Sequence, residues 1–146
     1  MLQFHFHATL EHAVNGSTDA MKSHFVHRHA DGGLAVRDVF RQSGAFNDER
    51  DRIFTHVGSL HGKDDEVPYV MDVNVQDLLP GSTEGWFHEG SLTTPLASQP
   101  VNRFPFSDPF EMSQAQTDAY LAVADDSDPA HDFDHGNRAL QSLNGR

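Results

Sequence analysis

From Leu2 the chain alternates apolar and polar residues. Leu2, Phe4 and Phe6 fall on one face of an extended strand, and Gln3, His5 and His7 fall on the other. Residues 1–8 are therefore predicted as a strand, with Glu11-His12-Ala13-Val14 continuing it. Asn15-Gly16 is a hairpin signal, lengthened by Ser17-Thr18-Asp19. A second alternating run, Ser23-His24-Phe25-Val26-His27, makes residues 21–28 the next strand. Beyond a turn at Ala30-Asp31-Gly32-Gly33, Leu34 to Phe40 reads as a third strand, interrupted by the acid Asp38. Three such strands in succession predict an antiparallel meander.

The period then lengthens. Phe46, Arg50, Ile53, Phe54 and Val57 lie three or four apart, with Asn47 placed to cap them, so one short amphipathic helix is expected over 46–57. His56 near its end is expected to be exposed. Residues 62–90 are turn-rich, with Tyr69 to Val75 as the strand expected there. Pro100 and Pro105 bracket Val101 to Phe106, and because proline removes a ladder donor this segment is expected as an edge or degraded strand. Ser113-Gln114-Ala115-Gln116 is a capping box that opens a helix to about Val123. An acidic loop containing proline and glycine follows, to Arg138. The predicted class is mostly β: a twisted, largely antiparallel sheet with short peripheral helices.

Composition narrows the function. At 146 residues the chain has a single-domain length that can bury a core. Its net charge of −12, from 22 acidic against 10 basic residues, leaves no basic cluster for nucleic acid or an anionic membrane surface. There is no cysteine, hence no disulfide framework and no thiolate chemistry. No signal peptide or apolar run of membrane-spanning length is visible.

The chemistry sits in the first two strands. If they pair antiparallel, His5, His7 and His24 converge on one face. Three neutral imidazoles with an open fourth position are a common design for catalytic zinc, whereas a His-x-His pair alone is commonly just a polar solvent face. Taking Glu11 as a further ligand gives His5-x-His7-x3-Glu11, a cupin-like first motif that would suit iron or manganese. A second cupin motif is not found. His27, His29, His61, His88 and His135 have no informative spacing and are expected on the solvated surface, and the acidic stretch His131 to His135 reads as a flexible loop.

Further motifs go together. QFHFH, LEH, SHFVH and LLPGSTEGWFHEGSLTTP, in that order, with a terminal NRALQSLNGR, resemble the α-class carbonic anhydrases. The resemblance covers residues 1–146 and implies one domain of that type. Such domains usually extend well upstream of QFHFH, so the chain is expected to correspond to the C-terminal portion, with Met1 at the start of a central strand. The resemblance implies Zn2+ held by His5, His7 and His24, and reversible hydration of carbon dioxide to bicarbonate and a proton by zinc-bound hydroxide. It makes Thr93 and Glu11 the pair that orients the hydroxide, with Thr94 at the mouth. Val26, Val36 and Leu92 match the wall beside carbon dioxide, although the two valines taken alone are ordinary sheet core. Gln3 and a backbone carbonyl near Gly136 match partners of the metal-bound histidines, and His12 is kept.

Several positions depart from the family pattern. Lys22 stands where a glutamate usually accepts the N–H of the last ligand histidine, and an ammonium has no acceptor to offer. Ala8 replaces a tryptophan or hydroxyl residue, His88 a tyrosine, Leu96 the second proline of TTPP, and Arg103 a buried tryptophan. The family's proton-shuttle histidine lies upstream of Met1. These departures support an alternative, a truncated or decayed zinc-binding module without significant catalysis. A periplasmic or extracellular setting would follow if a longer protein carried an upstream signal peptide.

Overall fold

The computed structural model describes residues 1–8, 21–57, 73–92 and 98–124. Strands β1 (Gln3–Ala8), β2 (Met21–Arg28) and β3 (Leu34–Ser43) form the expected antiparallel meander. Gly32, at a φ of 93°, makes the turn between β2 and β3, which an L side chain would strain. β4 (His88–Gly90), β5 (Val101–Pro105) and β6 (Phe110–Met112) complete the described strands. The sheet runs β1-β2-β3-β5-β4, and β6 also pairs with β3. Both pairings of β3 with β5 and β6 are parallel, so the sheet is mixed.

β5 corrects the expectation of an edge or degraded strand. It is paired on both sides, with β3 and with β4. Pro100 lies outside it and Pro105 is its last residue, so the ladder donors between them are intact, and the Pro105 carbonyl still accepts from Trp86 N at 2.9 Å. The strand expected over Tyr69 to Val75 is not found where it is described: Val75 opens a short 3-10 helix, Val75–Leu78, and residues 69–72 lie outside the described residues. So does the expected continuation of β1 through Val14.

Helix α1 (Asp48–Val57) starts as its cap predicts, with Arg50 N donating to Asn47 Oδ1 at 3.0 Å. Helix α2 (Gln114–Ala124) opens on the capping box in both directions. Gln116 N donates to Ser113 Oγ and Ser113 N to Gln116 Oε1, each at 3.3 Å. Neither helix is long and apolar enough to cross a membrane.

Met21, Phe25, Val39, Phe110 and Met112 of the strands pack with Phe54 of α1, Leu78 of the 3-10 helix and Phe106 into one core cluster, with Phe4 and Phe6 against it. Arg50 is buried within this layer, over the Phe110 ring at 3.5 Å and donating to Leu78 O at 2.7 Å. Burial lowers its pKa to about 10, a sign of the desolvation it carries. The opposite sheet face carries His5, His7 and His24, together with Val26, Val36 and Asp38.

Candidate metal centre

Strand periodicity and pairing assemble the site. His5 and His7 are two residues apart and share a face of β1. In the antiparallel register His5 lies directly opposite His24, and His7 opposite Lys22. The ring centroids of the three histidines are 4.9, 5.1 and 4.5 Å apart, and one nitrogen from each lies within 4.8 Å of the others. Three imidazoles at that spacing form a donor set that fits a zinc-like ion. His5 and His7 are half-buried, and His24 is buried.

Beneath His24 lies a buried ion pair. Arg103 grips Asp38 with two bonds, Nε to Oδ2 at 3.1 Å and Nη2 to Oδ1, and sends Nη1 to the Ser91 carbonyl at 3.3 Å. Asp38 is 0 % and Arg103 3 % exposed. His24 Nε2 is 3.2 Å from Asp38 Oδ1 and 3.2 Å from Arg103 Nη2. Burial, then the Arg103 charge, then His7, Lys22 and His5, hold the His24 imidazole well below the ordinary histidine range. It is therefore neutral near pH 7, the form that ligates metals. Burial raises the Asp38 carboxyl above the ordinary carboxylate range, and Arg103 offsets only part of that rise.

An apolar wall adjoins the histidines. Val26 lies across from Gln3 on one side and Val36 on the other, and Val26, Val36 and Val101 pack into a cluster with Leu34 and Leu92. Gln3 shares the histidine face and is exposed. Lys22 is buried at 5 % exposure. His29 is exposed as expected, but His88 is half-buried, because β4 pairs it with Arg103; burial and then the Arg103 charge lower its pKa. Glu11, His12, Thr93, Thr94, Leu96 and Gly136 lie outside the described residues.

The family model for eukaryotic-type carbonic anhydrase matches residues 1–146. The chain belongs to the α-carbonic anhydrase family. A carbonic anhydrase of Klebsiella pneumoniae is 36 % identical over 145 residues, covering 99 % of this chain and 54 % of its own length. One from Nostoc sp. is 34 % identical over 146 residues, covering 100 % and 52 %. The solved α-carbonic anhydrase of Photobacterium profundum superposes with a TM-score of 0.82 at 34 % identity, over 98 % of this chain and 61 % of that one. That of Thermovibrio ammonificans, solved with sulfanilamide, gives 0.82 at 32 % identity, over 98 % and 59 %. The chain spans about half the length of the relatives it matches.

Among the carbonic anhydrases, the departures at Lys22 and Arg103 acquire a physical context. From the sequence, Asp38 is only a break in an apolar run, and Arg103 only stands where the family resemblance expects a tryptophan. The structure joins them in one ion pair under His24. The available signal was parity: Asp38 shares a strand face with the wall residue Val36, so an acid there was aimed at the site.

Proposed function

We propose that this chain carries the zinc site of a carbonic anhydrase and catalyses the reversible hydration of carbon dioxide to bicarbonate and a proton. Residues 1–146 act as one domain in this reading. The observation that carries it is the convergence of His5, His7 and His24, with one nitrogen each inside 4.8 Å, on the sheet face that also presents Val26 and Val36. A bound zinc would lower the pKa of water to about 7, a value belonging to carbonic anhydrases in general and not obtained from this chain.

The protein's own residues supply the rest. Neutral His5, His7 and His24 would hold the ion without adding negative charge, leaving its positive charge uncompensated at the site. Val26, Val36 and Leu92 give an apolar molecule a dry surface beside the reacting oxygen. The resemblance assigns Thr93 and Glu11 the orientation of that oxygen toward the carbon, and Thr94 the mouth of the site. By the same resemblance Gln3 is the partner of one metal-bound histidine, and His12 is kept nearby in sequence.

Elemental analysis after dialysis, together with stopped-flow hydration of carbon dioxide, tests the proposal. The expected result is near-equal zinc and protein, hydration above the buffer rate, and loss of both in His7→Ala and His24→Ala. Unchanged zinc content in both variants rules the site out. Stoichiometric zinc with no hydration assigns the chain instead to a zinc-binding module, the reading that the buried Lys22 opposite His7 favours.

A further inference from the structure

We infer that Asp38 is the positioning residue for His24: its carboxylate accepts the His24 Nε2–H, taking over the work lost with Lys22, and Arg103 holds that carboxylate in place. The inference rests on the metal-centre reading above and concerns how this chain presents one ligand.

The two ring nitrogens of His24 face different partners. Nε2 faces Asp38 Oδ1 and Arg103 Nη2, each at 3.2 Å, so Nδ1 is the nitrogen that can join His5 and His7. A ligating nitrogen must offer its lone pair, which places the proton on Nε2 and requires an acceptor there. Arg103 cannot be that acceptor, since a guanidinium only donates. Asp38 Oδ1 has two lone pairs, and can receive both Nε2–H and Arg103 Nη2–H.

The opposite tautomer is also available. If Nε2 accepted from Arg103, the proton would sit on Nδ1 and obstruct the metal. Asp38 decides between the two by sitting beside both donors. Its own position is tightly defined: register places it across from His24 on one side and Pro105 on the other, with Arg103 bound through Nε and Nη2. A Cβ on Gly90 would come 3.0 Å from Arg103 Cδ, so glycine there leaves room for the arginine. Asp38 and Arg103 thus form a matched pair, which answers the missing acceptor at residue 22 from the neighbouring strand.

The test uses the whole chain labelled with 15N at histidine. Zinc affinity is read by competition with a chelator, and the His24 tautomer of the metal-free protein by its ring nitrogen shifts. Asp38→Asn should weaken zinc about 10–100-fold, the usual cost of losing such a partner, and move the His24 proton away from Nε2. Because that variant strips Arg103 of its counter-charge, Asp38→Val/Arg103→Leu removes both charges together, a change that buried pairs often tolerate, and should show the same loss. Adding Lys22→Glu to Asp38→Asn should recover most of the lost affinity, while Lys22→Glu alone should gain less than about threefold. The inference is overturned if both Asp38 variants bind zinc within about twofold of wild type, or if Lys22→Glu helps equally in either background. Failure of this kind while His24→Ala abolishes zinc binding condemns only the role of Asp38. If His24→Ala keeps its zinc, the metal-centre reading falls and this inference with it.

Discussion

The Tyr120 hydroxyl donates to the Phe6 carbonyl oxygen at 3.0 Å, tying α2 to β1 at the residue between His5 and His7. The tie is reinforced by rings, since Phe6 lies 4.9 Å from Phe54 and 6.0 Å from Tyr120. Tyr120→Phe keeps the rings and deletes the bond. It should cost about 1 kcal/mol of stability. Zinc binding should weaken by a few-fold at most, because both proposed ligands on β1 flank the loosened carbonyl.

The same phenol predicts a pH dependence. Burial pushes Tyr120 up to about 12, so the folded chain holds that proton more tightly than the unfolded one, whose tyrosine titrates near 10. Its contribution is complete below pH 10 and is lost as pH climbs through 12. The stability gap between wild type and Tyr120→Phe should therefore narrow by about 1 kcal/mol between pH 9 and pH 11. Urea denaturation at the two values measures it, and a constant gap would contradict the raised pKa of the half-buried phenol.

Gln116 supports a third prediction, about how the helices are joined. Its Oε1 accepts from Asn47 N at 3.0 Å, and its Nε2 donates to Asn47 O at 2.9 Å and to Asp51 Oδ1 at 3.3 Å. One buried amide thus fastens the start of α1 to the start of α2. Gln116→Glu cannot donate, and sets a carboxylate against Asp51. A loss of roughly 2–4 kcal/mol is expected at pH 7, shrinking as acid protonates the new group. Ser113→Ala, which breaks only the capping box, should cost about 1 kcal/mol. Equal losses in the two variants would show that Gln116 does no more than cap α2.

Much of this arrangement was legible in the chain because its cause is local. Alternation defines β1 and β2, Asn47 and Ser113 define the helix starts, and the parity of residues 5, 7 and 24 brings the histidines to one face. The errors arose where the decisive partner is distant in sequence. Nothing within Val101 to Phe106 reveals that β3 and β4 pair with it from both sides, so its prolines looked more damaging than they are. Asp38 and Arg103 are 65 residues apart. Each alone looked like a defect, an acid in an apolar strand and a cation in place of an indole, and their complementarity exists only after β3 and β5 pair. His88 was misjudged for the same reason, since its burial comes from pairing with Arg103.

The last prediction separates the wall from the metal. Val26 is two residues from His24 on the same face of β2, opposite exposed Gln3 on one side and buried Val36 on the other. The Gln3 side offers a larger ring somewhere to go, so Val26→Phe should fold with a penalty of about 1–3 kcal/mol, as overpacking usually costs. The ring would occupy the dry surface where an apolar substrate is proposed to sit, without touching a ligand nitrogen. Hydration of carbon dioxide should then fall by at least about tenfold, corresponding to roughly 1.4 kcal/mol in the barrier, while zinc content stays at the wild-type level. Val26→Ile, which adds a single methylene, should lose far less. Stopped-flow rates and elemental analysis on the same preparations decide it. A Val26→Phe protein with wild-type zinc and an undiminished rate would place the substrate somewhere other than beside the valine cluster. Loss of zinc in step with the rate would instead show that the wall shapes the ligands rather than receiving the substrate.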